Sequence, residues 1–250
     1  MRVLLILFRK ELKSYFLTPF GWIVLAFAAV MQATSLSTAL KAFQDTAIAE
    51  SLVHATFQTN FFWFYFLFLF PLLTMRLFSE ETRSGTIETL LTAPIRTWQV
   101  VLSKYLAALL AYLITWIPAF IHFLLFTTLT DVPPPFVIGE LQGAALILFL
   151  MGSYFIALGC LASAFTQSQI TAGLIAIAIL AFHYFLGLVT YIWGEQMAAA
   201  PLFHYISSQE HLALFTRGVI DSRPIIYYLS AAFLTLILTH QVLDYRRWKP

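Results

Sequence analysis

Six apolar runs dominate the pattern of this chain, at 20–40, 57–77, 98–129, 141–165, 170–193 and 224–243. Each approaches the roughly 20 residues a helix needs to cross a bilayer. The pattern therefore predicts an all-α integral membrane protein with six transmembrane helices in a single domain, 1–250. The second run is the least regular, because Pro71 interrupts it. None of the six carries Asp, Glu, Lys or Arg near its centre.

The polar connections carry their own periodicity. In segment 1–17, Leu5, Phe8, Leu12 and Phe16 recur at helical spacing while Arg9, Lys10 and Lys13 occupy other faces. That is the pattern of an amphipathic helix lying in the membrane interface, and Pro19 then separates it from the first span. Its apolar stretch from Val3 to Phe8 is too short for a signal-peptide core, and no small-residue cleavage site follows. Segment 194–223 mixes Met197, Leu202, Phe203, Leu212, Leu214 and Phe215 with Glu195, Glu210, Arg217 and Asp221. It is too polar to span and too apolar to float in water, so short helices dipping into the outer interface are expected there. Pro133, Pro134 and Pro135 stiffen an outer turn.

Composition agrees with the pattern. The chain is 60% hydrophobic and 10% charged, with a mean hydropathy of +0.83. A soluble domain is roughly 45–50% apolar and about 25% charged. A net charge of +2 gives nucleic acid no basic surface to bind. One cysteine, Cys160, excludes an intramolecular disulfide and reads as a small buried apolar side chain. Charge placement sets the orientation. With the N-terminus inside, eleven of the fourteen Lys and Arg residues fall on the cytoplasmic side: Arg2, Arg9, Lys10, Lys13, Arg76, Arg83, Arg96, Lys104, Arg246, Arg247 and Lys249. Lys41, Arg217 and Arg223 remain outside. This satisfies the positive-inside rule and predicts cytoplasmic termini.

The stretch 78–104 is the most informative connection, holding Glu80, Glu81, Arg83, Glu88, Arg96 and Lys104 between two apolar runs. Ser84 or Thr86 can cap a short helix whose first turn carries Glu88, a favourable place for an acid. Ile87, Leu90 and Leu91 then share one face, and Pro94 ends the helix. Such an element, held between two spans, can be gripped by a soluble protein and pass its movement to the membrane.

The run PLLTMRLFSEETRSGTIETLLTAPIRTWQVVLSKYLAAL resembles the second-span, coupling-helix and third-span region of type-2 ATP-binding-cassette (ABC-2) permeases, which are exporters. Within that superfamily it is most similar to the gliding-motility permease and its relative from nitrous-oxide-reductase maturation. RKELKSYFLTP, ALGCLASAFTQSQI and FTRGVIDSRPIIYYLS agree with the same family. The resemblance implies a translocation pathway formed by two permease copies, with separate ATP-binding subunits that hold the ATP and Mg. It implies a place in the bacterial inner membrane. It further implies that segment 79–94 is the coupling surface, through Glu80, Glu81, Arg83, Gly85, Thr86, Ile87, Glu88, Leu90, Leu91 and Pro94, with Glu80 and Glu81 near the gate. The sequence contains no GxxxxGK[ST] phosphate loop and no soluble segment long enough for an ATPase domain. No catalytic residue, metal or cofactor is therefore expected in this chain.

The absence of carboxylates within the spans argues against a proton-coupled carrier. Phe61, Phe62, Phe64 and Phe66 belong to a run with eight aromatics in ten positions, 61–70. It would suit an apolar substrate or a lateral opening to lipid, although such a run is more often lipid-facing bulk. His122 and His183 stand alone in their spans, where hydrogen bonding to a neighbouring helix is a commoner use than haem ligation. His204 and His211 lack the Met or Cys neighbours of a copper site. Gliding-type relatives are associated with an auxiliary membrane protein, so the alternative is a mechanical or assembly module that pulls on an outer partner without moving a solute.

Overall fold

The computed structural model describes residues 2–45, 50–92, 94–129, 135–194 and 196–248. Of the sequence readings above, those on Pro133, Pro134, Glu195 and Lys249, and on the side chains of Leu91 and Arg247, lie outside the described residues. Among those described, the regular structure is entirely helical. Five helical stretches among the described residues are long and apolar enough to cross a membrane.

Helix α1 (Arg2–Phe16) precedes α2 (Pro19–Asp45). A short helix, α3 (Leu52–Phe57), then leads into α4 (Asn60–Thr74). The expected span at 57–77 thus begins later than its hydropathy. Ser51 caps α3 by accepting from the Val53 amide at 3.2 Å, and Thr59 caps α4 by accepting from the Phe62 amide at 3.2 Å. At 15 residues α4 is about 22 Å long, short of a bilayer core of about 30 Å.

The expected run 98–129 is two helices, α7 (Thr97–Thr115) and α8 (Ile117–Leu129), divided at Trp116. Pro118 cannot donate to the Ile114 carbonyl, and its ring crowds that position. Gln32 of α2 secures the break by donating to the Thr115 carbonyl at 2.9 Å. The next two spans are α9 (Ile138–Phe165) and α10 (Gln169–Gly187). Beyond α10 lie α11 (Val189–Trp193), α12 (Ala200–Ile206) and α13 (Ser208–Thr216), the short helices expected in segment 194–223 together with the end of the fifth run. The last span is α14 (Ser222–Trp248).

Helix α9 is the centre of the bundle. Buried positions make up 72% of its most apolar stretch, against 22–39% in the other four spans. Helices α4, α7, α10, α13 and α14 all pack on it. Two glycines permit the closest approaches: a Cβ at Gly152 would stand 2.1 Å from the Tyr112 ring, and one at Gly159 would stand 2.1 Å from Thr74 Oγ1.

The aromatic run of α4 divides by helical face. Phe62, Tyr65, Phe66 and Phe70 turn inward and are buried, while Phe61 and Phe64 face outward. Within the inner set Phe62 stacks on Phe66 with ring centroids 5.0 Å apart, and Phe70 meets Tyr112 of α7 and Phe155 of α9, each at 5.2 Å. Each such pair adds about 0.5–1.5 kcal/mol beyond area burial.

At the end of the bundle away from the 78–104 connection, His54 Nδ1 contacts Thr216 Oγ1 at 2.9 Å and Arg217 Nη2 donates to His54 Nε2 at 3.2 Å, tying α3 to α13. Ser51 donates to Glu140, joining α3 to α9.

Candidate coupling site

The 78–104 connection folds into two short helices, α5 (Ser79–Arg83) and α6 (Thr86–Thr92). Gly85 lies between them with φ of +71°, in the left-handed region that an L side chain enters only at about 1–2 kcal/mol. Ser84 Oγ and Thr86 Oγ1 are 2.9 Å apart across this joint. Ile87 is buried, and Leu90 packs partly against the core. Ile87 and Leu90 of α6 are therefore spent on this chain's own bundle. Arg83, Ser84, Gly85, Thr86, Glu88, Thr89, Thr92 and Pro94 are exposed, so the surface these described residues open to another protein is mainly polar.

Beneath α5 the sequence has assembled an ion cluster from three elements. Lys104 of α7 is only 3% exposed and donates to Glu11 Oε1 of α1 at 3.0 Å. Its Nζ also lies 3.1 Å from Glu81 Oε2 as an ion pair, without the alignment of a hydrogen bond. Lys10 donates to Glu81 Oε1 at 3.1 Å and lies 3.7 Å from Glu11 Oε1. Partial burial opposes the charged form of Lys10, but Glu81 and Glu11 outweigh it and hold its pKa above the ordinary lysine value. Arg76 grips Glu80 with both prongs, Nε to Oε2 at 2.8 Å and Nη2 to Oε1 at 3.1 Å. These bonds hold Glu80 below the usual carboxylate range against its partial burial. The six charges border a cleft of about 320 Å³, and three cations balance three carboxylates.

The turn from α4 into α5 is fixed from below. Ser163, fully buried near the end of α9, accepts from the Phe78 amide at 3.0 Å and the Ser79 amide at 3.1 Å, and donates to the Met75 carbonyl at 3.2 Å. Tyr15 of α1 donates to the Leu73 carbonyl at 2.5 Å. From the last span, Arg246 donates to Thr82 Oγ1 at 3.3 Å, and Thr97 donates to Asp244 Oδ1 at 3.0 Å.

The residues singled out in the sequence thus separate. Glu81 turns inward to Lys104 and Lys10, Glu80 pairs with Arg76 at a partly exposed position, Ile87 and Leu90 pack against the bundle, and Arg83, Gly85, Thr86, Glu88 and Pro94 remain at the surface. Glu11 and Ser163 were not legible as site residues. Glu11 had one signal available: it shares a face with Leu4, Leu7 and Tyr15 at spacings of seven, four and four, an acid on an otherwise apolar stripe.

Of the histidines singled out in the sequence, His183, His204 and His211 are hydrogen-bonded, whereas the buried Nδ1 of His122 has no hydrogen-bond partner among the described residues, contrary to the bond expected for it. His183 Nε2 meets Ser208 Oγ at 2.8 Å, His211 Nδ1 meets the Tyr228 hydroxyl at 3.1 Å, and His204 Nδ1 meets Glu210 Oε1 at 2.6 Å. Among the described residues no three His, Cys, Asp or Glu side chains converge as a metal site.

These features define a multi-pass helical membrane protein with a polar helical hairpin clamped to one end of the bundle. A family model described as ABC-2 family transporter protein matches residues 3–240, and the chain belongs to that family. No curated protein matches it.

Proposed function

We propose that this chain is the permease subunit of an ATP-driven exporter in the bacterial inner membrane. In this reading α4 is a sixth crossing, completed by the turn and helix that follow it, and both termini are cytoplasmic. Two permease copies enclose the pathway, and separate ATP-binding subunits, which hold ATP and Mg, dock on the α5–α6 hairpin. Their closure displaces the hairpin, and the bundle switches between inward-open and outward-open populations. The chain itself catalyses nothing. The observation that carries this reading is the hairpin: a polar exposed face, with Arg83, Thr86 and Glu88, is joined to α7 and α9 through buried polar contacts, to α14 through a partly buried one and to α1 through the Lys10–Glu81 pair. A surface held this firmly passes displacement inward instead of absorbing it.

The test is purification of the tagged chain in mild detergent, with a photocrosslinking residue at position 88. Recovery of an ABC ATPase crosslinked at that position is the expected result. Recovery of the chain alone, repeated after crosslinking in intact membranes, would overturn the assignment.

A further inference from the structure

A second cavity, of about 240 Å³, opens between α4 and α10 at the end of the bundle away from the α5–α6 hairpin. Trp63, Phe64 and Leu67 of α4 face Leu180, Ala181 and Tyr184 of α10 across it. Phe64 and Phe185 at its margin are 55% and 61% exposed, so the mouth lies on the flank of this single chain's bundle. The inner wall is different. His183 and Ser208 stand there at 2.8 Å from one another, and the Tyr228 hydroxyl donates to Ser208 at 3.1 Å. His211 extends this buried hydrogen-bonded chain from the far side of Tyr228. No Asp, Glu, Lys or Arg lines the cavity.

We propose that this cavity binds the head end of a single-chain amphiphile with an uncharged hydroxyl or amide headgroup, the head meeting His183 and Ser208 and the chain leaving past Phe64 and Phe185 into lipid. The chemistry selects such a ligand. A charged head would be buried without a counter-ion, at a penalty that neutral hydrogen-bonding groups avoid. Although His183 Nε2 and Ser208 Oγ are bonded to each other, the imidazole keeps its second nitrogen and the hydroxyl one further acceptor site, which a pure hydrocarbon would leave unused. At about 30 Å³ per water-sized group the cavity takes about eight heavy atoms, enough for a headgroup and the first few carbons. Binding stands on the cavity alone; its meaning as cargo rests on the exporter reading above.

The test uses the permease with its ATPase in phosphatidylcholine nanodiscs and a long-chain alcohol carrying a diazirine near its hydroxyl. The expected result is labelling of Trp63, Leu67, Ala181 or Tyr184, competed by 1-dodecanol about tenfold better than by dodecane, dodecanoate or dodecyltrimethylammonium. The tenfold figure corresponds to about one buried hydrogen bond. His183→Leu should weaken competition by the alcohol by a similar factor. Ala181→Phe, which fills the cavity while leaving the hydrogen-bonded chain in place, should abolish labelling. Labelling spread evenly over the lipid-facing helices, equal competition by dodecanoate, or crosslinks showing a second copy's side chains within the cavity would each overturn the site. Specific labelling that leaves ATP turnover unmoved supports the site and counts against the amphiphile as cargo. No specific labelling in a complex with coupled ATPase activity overturns the site and leaves the exporter reading standing.

Discussion

Replacing Lys104 with Met tests the ion cluster most directly. Met matches the length and apolar stem of the lysine, so the change removes one charge with little loss of packing. Lys104 is 3% exposed, and it serves Glu11 and Glu81, which are 12% and 15% exposed. Removing it leaves those two carboxylates facing each other with only the more exposed Lys10 between them. Breaking a buried pair in this way costs about 3–5 kcal/mol, most of it the penalty of uncompensated charge. For a chain of this length that corresponds to about 6–20 °C in the unfolding midpoint. The assay is thermal unfolding of the purified protein in detergent, run as a cycle with Glu11→Gln and Glu81→Gln. If uncompensated charge is the cause, Lys104→Met combined with both glutamines should recover much of the loss. A Lys104→Met variant within about 1 kcal/mol of the parent, or a triple variant no better than the single, would refute the reasoning.

Further outcomes follow from the same geometry. Glu88→Lys should fold normally, because Glu88 is exposed and loses only the favourable position of an acid in the first turn of α6, about 0.3–1 kcal/mol. It should, however, uncouple ATP turnover in the complex; intact coupling would move the docking face elsewhere. Ser163→Ala should strand the Phe78 and Ser79 amides at about 1–3 kcal/mol each, read as a lower unfolding midpoint and faster proteolysis at the α4–α5 turn. Gly85→Ala should strain the α5–α6 joint by about 1–2 kcal/mol without a steric clash, detectable as weaker ATPase docking. Acid should loosen the hairpin. Because folding lowers the Glu80 pKa, the Arg76 pair stabilises fully above the ordinary carboxylate value and is lost as pH falls through the depressed one. The pair is partly exposed and worth no more than about 1 kcal/mol, and Glu80→Gln should erase that pH dependence.

What could be read in advance depended on how local the cause was. Pro19, Pro94 and the spacing of Leu5, Phe8, Leu12 and Phe16 act within a turn or two, so a helix at α1 and one ending before Pro94 could be read locally. Hydropathy located the bundle but not its joints. The division of α7 from α8 needed Pro118 to be weighed together with Gln32 from a distant helix, and the late start of α4 depended on Thr59. Glu80 and Glu81 were picked out by the family resemblance, but the inward direction of Glu81 was invisible, because its cations come from the distant Lys10 and Lys104. In the same way, the apolar stripe of α6 looked available to a partner until its packing against the bundle was seen. Ser163 offered no signal, since a serine in an apolar helix looks the same whether it bonds its own backbone or another's.

Helix α9 has a contact at each end that belongs to a different business. Near its C-terminus Ser163 holds the entrance to α5; in its first turn Glu140 accepts from Ser51, and Gly143 lies against the backbone of Phe215. Its 28 residues make a rod about 42 Å long. A displacement of 1 Å at the hairpin end, pivoting about the other, tilts that rod by only ~1.4° on the same helical rise. In the proposed exporter cycle, the far helices α3 and α13 would register such a stroke as a change of angle, with hardly any translation.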